Sequence, residues 1–196
     1  MIPALILVVL AVVYRIATAI IVQGGGSAWL SNFAPLAAIA LCGAIYFPRK
    51  YKFIVRFAAL FLSDLVLDVY YKASLLEPLI LCRYFAFALV GLLGLAISRR
   101  PSLMKIVPAS LAGSALFYGV TNFFSWLTDP GYFKNFAGLI QALTVGLPQY
   151  SATPTWMFFR NSLVSDLLFT LVFVACMHYS RRATALPVAT SRSLAH

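Results

Sequence analysis

The sequence predicts an all-α integral membrane protein: six transmembrane helices in one bundle, with both termini in the cytoplasm. Three observations predict it. The 196-residue chain is 62% hydrophobic and only 10% charged, where a soluble domain averages about 25% charged residues. Its apolar residues fall into six stretches of membrane-spanning length. Its basic residues gather in alternate loops, as they do when they set the orientation of a membrane protein.

Each span follows from where an apolar run starts and what stops it. The first, about 2–22, is interrupted by Tyr14 and Arg15 and ends at the glycine-rich loop Gln23-Gly-Gly-Gly-Ser27, with Trp29 expected at the interface. The second, about 32–47, is stopped by Pro48-Arg-Lys-Tyr-Lys52. The third is about 53–70, followed by a short loop with Lys72, Glu77 and Pro78. The fourth, about 80–98, stops at Ser98-Arg-Arg-Pro101, and the fifth runs from about 105 to 127. The longer connection 128–154 contains an apolar piece, Phe136 to Pro148, too short to span and suited to an interfacial or re-entrant helix. The sixth span is about 155–179. Residues 1–180 form a single domain by this reading, and 181–196 a polar, disordered cytoplasmic tail. Ala17-Thr-Ala19 resembles a signal-peptide cleavage site, but no Lys or Arg precedes the apolar run and Arg15 breaks it. No internal repeat is visible, so an inverted-repeat transporter is not indicated.

The net charge of +10 does not imply nucleic acid. Arg49, Lys50, Lys52 and Arg56 flank the second loop, Arg99, Arg100 and Lys105 the fourth, and Arg181, Arg182 and Arg192 follow the last span. That pattern makes the even loops and the C-terminus cytoplasmic, in the bacterial inner membrane. Cys42, Cys82 and Cys176 read as small core residues, with no disulfide or metal spacing.

On this topology the polar residues of the spans fall in the outer half, and the inner halves read as almost entirely aliphatic. Arg15 and Thr18, Asn32, Asp64 and Asp68, Arg83, Tyr118, Asn122 and Trp126, and Arg160, Asn161 and Asp166 all lie on that side, Asp166 near mid-depth. Ionisable groups in hydrocarbon cost several kcal/mol and usually mark a pathway or a pocket, so these residues predict an outward-facing site for a small solute. Asp64 and Asp68 are four apart and share a helix face, where two carboxylates repel unless a cation, a proton or an arginine intervenes; Arg15, Arg83 and Arg160 are the available partners. Tyr118, Asn122 and Trp126, also four apart, form a stripe suited to stacking on and hydrogen-bonding a planar heteroaromatic ligand. Asn161 adds a hydrogen-bonding amide, and Arg160 a group for an anion. Against these stand blander readings: arginine–aspartate pairs that only fix helix register, arginines that snorkel to headgroups, and tryptophans that form an interfacial belt.

Other chemistry is sparse. The chain has no phosphate-binding Walker loop, and its two histidines, His178 and His196, are isolated and placed on the cytoplasmic side. No metal, cofactor or catalytic nucleophile is expected, and a membrane-embedded hydrolase dyad of Asp64 and Asp166 is the one enzymatic alternative. An ion-coupled carrier or channel built on Asp64 and Asp68, and a non-catalytic accessory subunit of a larger complex, are the other two.

Four motifs carry a family resemblance: Asn32-Phe-Ala-Pro35 running on to Gly43-Ala-Ile-Tyr-Phe47; Leu62-Ser-Asp-Leu65; Ala109-Ser-Leu-Ala-Gly-Ser114 leading to Thr121-Asn-Phe123 and Trp126-Leu127; and Phe159-Arg-Asn-Ser-Leu163 with Asp166-Leu167. Together they resemble an uncharacterised family of bacterial six-helix membrane proteins over nearly the whole chain before the tail. That family is in turn similar, in size, helix count and topology, to the substrate-binding S components of energy-coupling factor transporters. The resemblance implies an S-component-like bundle that captures a vitamin- or micronutrient-like solute from outside and docks on an energising membrane subunit with ATPases. It marks Asn32, Asp64, Asn122, Arg160, Asn161 and Asp166 as family positions without assigning them roles. S components carry small residues four apart on the first helix for docking. Here Ala40 and Ala44, and Ala109 and Gly113, have that spacing on the second and fifth helices instead.

Overall fold

The computed structural model describes residues 2–26, 30–72 and 78–185, and every regular element among them is helical. Seven helices follow in order: α1 (Ile2–Gln23), α2 (Leu36–Tyr46), α3 (Lys52–Tyr71), α4 (Pro78–Ile97), α5 (Leu103–Thr128), α6 (Phe136–Leu143) and α7 (Thr155–Ala185). Four of them, α1, α4, α5 and α7, are long and apolar enough to cross a membrane, the mark of a membrane protein. Their outward faces agree. Leu5, Ile6, Val9, Leu10 and Val13 of α1, and Leu81, Phe85 and Leu92 of α4, are exposed, an apolar exterior far larger than a protein surrounded by water tolerates.

The second predicted span is corrected. Asn32 to Pro35 are not helical, and α2 has only 11 residues, about 16 Å of helix or half the hydrocarbon thickness. Asn32 takes a left-handed φ of 58°, which asparagine tolerates better than most residues, and Pro35 supplies no N–H to continue a helix toward the N-terminus. α2 is the hub of the bundle, packed against α1, α3, α4, α5 and α7. Every residue from Ala37 to Ile45 is buried, which explains why its sequence is apolar on all faces. Its alanines let neighbours approach closely. A Cβ on Gly94 of α4 would lie 2.7 Å from the Leu41 carbonyl oxygen and 2.9 Å from the Ala44 Cβ. A Cβ on Gly113 of α5 would lie 3.0 Å from Val90 and 3.7 Å from the Ala37 Cβ. The small residues of α2 and α5 therefore serve packing inside the bundle.

A second correction concerns Arg56, expected beside a basic loop. It is 1% exposed. Its guanidinium lies over the Phe53 ring at 4.5 Å and donates from Nη1 to the Ala40 carbonyl at 3.3 Å, while Nε and Nη2 find no hydrogen-bond partner among the described residues. Gly91 leaves the room it occupies, since a Cβ there would sit 1.8 Å from Nη1. The half of the bundle expected to be aliphatic thus contains a buried cation. Cys42 and Cys82 are buried as expected, but Cys176, on α7, is exposed.

In the long connection, the apolar piece forms only the eight-residue α6. Asn135 caps it by accepting the Gly138 N–H at 2.8 Å. After Thr144 the chain turns back through Gly146, whose φ of 74° suits glycine. Helix α7 continues to Ala185, beyond the predicted boundary at 180. The readings on Trp29, Glu77 and the end of the tail lie outside the described residues.

Candidate functional site

One end of the bundle carries the basic residues that precede α3 and α5 and close α7. The other, at which α1, α3 and α5 finish, carries two adjoining cavities. The larger, about 490 Å³, lies among α1, α3, α4 and the non-helical segment 30–34, with Arg15, Thr18, Asn32, Asp68, Tyr71 and Arg83 in its wall. The smaller, about 270 Å³, continues toward α5 and α7 past Ser114, Tyr118, Asn122 and Asp166. Arg15, Asn32, Ala34, Arg83 and Phe158 line both, so the two form one branched space.

The charged wall is built by three helices. Arg15, four turns into α1, reaches α3, where Nη1 donates to Ser63 Oγ and Nη2 to Asp64 Oδ1 at 2.6 Å. Arg83 of α4 donates from Nη1 to the same Asp64 oxygen at 3.0 Å. Asp64 and Arg15 are buried, whereas the Arg83 side chain is 26% exposed. Two arginines therefore share one carboxylate oxygen, and neither snorkels away. Among the described residues Asp64 Oδ2 has no hydrogen-bond partner, and neither has the buried Oδ2 of Asp68 one turn further along α3. Among the described residues no cation pairs with Asp68.

The cavity floor is the start of α2. Pro35 provides no side-chain cap there. Asp166 of α7 supplies one: Oδ1 accepts the Ala38 N–H at 2.9 Å, and Oδ2 accepts the Ser114 hydroxyl at 2.8 Å. A carboxylate at a helix N-terminus satisfies an orphan donor and meets the positive end of the helix dipole. Asp166 lies 11 residues into α7, about 16 Å along it, which places the start of α2 more than a third of the way along the longer helix. The segment leading down to it is tied to α7 as well. Asn161 Nδ2 donates to the Ser31 carbonyl at 2.9 Å, and the Ser162 hydroxyl to the Asn32 carbonyl at 3.0 Å.

The structure brings Asn32, Asp68, Arg83, Tyr118, Asn122 and Asp166 to the cavity wall, with Asp64 behind it. It does not bring Trp126, Arg160 or Asn161 there. The expected stacking stripe is corrected. Trp126 donates from Nε1 to the Phe133 carbonyl at 2.9 Å and packs on the Tyr132, Ala142 and Leu147 cluster, so it anchors the connection. The Tyr118 hydroxyl donates to the Leu143 carbonyl at 2.6 Å, and its ring tilts against Phe159. Asn122 Nδ2 donates to the Tyr118 carbonyl of its own helix at 2.9 Å. Arg160, expected to meet an anion, instead donates from Nε and Nη2 to Asn161 Oδ1 at 3.2 and 3.0 Å, and lies over the Trp156 ring. For Asn122 and Arg160 a nearby carbonyl or amide oxygen takes the donor assigned to a ligand, and the Tyr118 and Trp126 rings, assigned to stacking on a ligand, are held by hydrogen bonds to the connection. In the connection, a hydrogen bond to Asp129 together with that carboxylate's charge raises the Tyr150 phenol above its ordinary pKa.

Sequence reasoning placed Arg15 and Thr18 in the outer half, gave Arg15 the part of a charge-balancing partner, and had Ser114 only within a motif. The signal for Ser114 was its four-residue spacing from Ser110. Among the described residues, no cluster of three or more His, Cys, Asp and Glu could hold a metal ion.

The four motifs lie within a family-model match over residues 1–189. The chain belongs to the family of unknown function DUF6580. No curated protein and no solved structure matches it. Family membership thus covers all seven helices, and the chemistry of the site rests on the geometry of this chain.

Proposed function

We propose that the protein is a six-span subunit of the bacterial inner membrane that captures a small solute from the outside, with both termini in the cytoplasm. The observation that carries this reading is the branched cavity, lined by Arg15, Asp68, Arg83 and non-helical backbone, at the end opposite the basic loops. Basic loops face the cytoplasm, which turns the cavity outward. Irregular backbone at membrane depth is tolerated where protein buries it or it lines a cavity, and segment 30–35 meets that condition. α3 fits as a span despite its charges. Phe53, Ile54, Phe61, Leu62, Val66 and Val69 form its exposed face, while Arg56 and Asp64 turn inward. α2 and its lead-in complete the sixth crossing as a broken helix, an arrangement that transporters use around binding sites.

The S-component resemblance would make the solute vitamin- or micronutrient-like and the partner an energising membrane subunit with ATPases. The small-residue pairs of α2 and α5 are consumed inside the bundle, so such a partner would dock on another face. The test is native mass spectrometry of protein purified gently from its own membranes, beside an Ala19→Trp variant. Ala19 lines the larger cavity, and an indole there fills it. Wild type is expected to carry a stoichiometric small molecule that the variant lacks. An empty wild type, or equal retention by Ala19→Trp, would overturn the reading.

A further inference from the structure

The four charges beside the larger cavity sum to zero, but they are not evenly paired. Arg15 and Arg83 both spend a donor on Asp64 Oδ1, so the α1–α4 side of the wall has two positive charges against one negative. Among the described residues Asp68 has no ion-pair partner and its buried Oδ2 makes no hydrogen bond. Leaving a carboxylate oxygen dry and unpaired is costly. Asp64 and Asp68 sit one helical turn apart on α3, about 6 Å between their Cβ atoms. Asp68 itself lines the larger cavity, which therefore presents an anion with no ion-pair partner among the described residues beside a surplus cation, Arg83 being the partly exposed arginine. The same wall carries Phe33, Leu67, Tyr71 and Phe158 beside Thr18, Gln23, Ser31 and Asn32, a partly apolar lining that screens charges less than open water does. An aromatic face such as Tyr71 also favours an ammonium.

From this asymmetry we infer that the ligand carries an amine, held by Asp68, and beside it a carboxylate or similar acceptor, held by Arg83: the class is amino-carboxylate solutes. A carboxylate meeting Arg83 takes guanidinium donors that Asp64 does not use. A cavity of about 490 Å³ is in the range that holds small ligands. The inference rests on the uptake reading in taking the cavity as the binding site.

The test is equilibrium dialysis of the full chain in lipid nanodiscs against a defined mixture of size-matched probes: amino-carboxylates, amines without a carboxylate, carboxylates without an amine, and neutral polyols. Mass spectrometry reads what is retained. Amino-carboxylates are expected to lead, followed by simple amines. Asp68→Asn is expected to lower their retention by at least about tenfold and to leave amine-free probes unchanged. Because Asp68 makes no ion pair among the described residues, this variant should fold as wild type does, and Asp68→Glu should keep the preference. Retention led by amine-free probes, or unaffected by Asp68→Asn, overturns the inference and leaves capture in the cavity standing. If no probe is retained but a molecule co-purifies with the wild type, its having an amine supports the inference and its lacking one overturns it. No retained probe and no co-purifying molecule overturn both.

Discussion

Asp166 Oδ1 accepts the Ala38 backbone N–H at 2.9 Å across 128 positions of sequence, so α7 caps the helix at the centre of the bundle. The cap explains how a helix can begin in the interior without stranding its first donors. Asp166→Leu removes both acceptors and is expected to cost about 1–3 kcal/mol, seen as a fall in the unfolding temperature of the detergent-solubilised protein. Asp166→Asn keeps one acceptor and should cost clearly less. Equal losses would mean that α2 does not depend on the cap.

Asp64 and Asp68 occupy the same face of α3 but have opposite roles in stability. Asp64→Ala strands Arg15 and Arg83, which it binds at 2.6 and 3.0 Å, and breaking a buried pair of this kind costs about 3–5 kcal/mol. Asp68→Ala breaks no ion pair among the described residues and should leave the unfolding temperature near that of wild type. A cysteine-free background and thermal unfolding followed by tryptophan fluorescence would separate the two.

Arg56 and Gly91 are expected to be energetically coupled. A side chain at 91 meets Arg56 Nη1, 1.8 Å from where its Cβ would stand. Overpacking of this sort costs about 1–3 kcal/mol. Gly91→Leu alone should therefore destabilise, and Arg56→Ala in the same chain should relieve much of the loss. The double-mutant cycle checks this: coupling of about 1–3 kcal/mol is expected, and simple additivity would contradict the contact.

Asn135 holds the first turn of α6 through Gly138. Asn135→Ala should cost about 1 kcal/mol, expressed locally. Hydrogen exchange of residues 136–143 is expected to accelerate while α2 and α5 stay protected. Retention of solute should not change, because α6 contributes no wall to either cavity.

Orientation can be read directly. A reporter active only outside the membrane should be active when fused after Tyr150 and silent after Arg182, and a cytoplasmic reporter should show the reverse. The opposite pattern would turn the cavity toward the cytoplasm.

The sequence by itself determined the helical class, the apolar exterior and the polar end of the bundle. Spans such as α1 and α4 are legible because hydropathy is a property of neighbouring residues, and a run of about 20 apolar residues has one cheap conformation beside lipid. The tie of Asp64 to Arg15 and Arg83 was also within reach, because a buried carboxylate in an apolar helix has to find a cation. Tertiary structure alone decided the rest. The shortness of α2 depends on an acceptor from α7, the burial of Arg56 on the space left by Gly91, and the loss of Trp126 from the site on the Phe133 carbonyl. Each of these is a contact between a side chain and a backbone or gap that only the packed helices bring together. Residue type announces that a polar group needs a partner, and packing chooses whether that partner is the protein or a ligand.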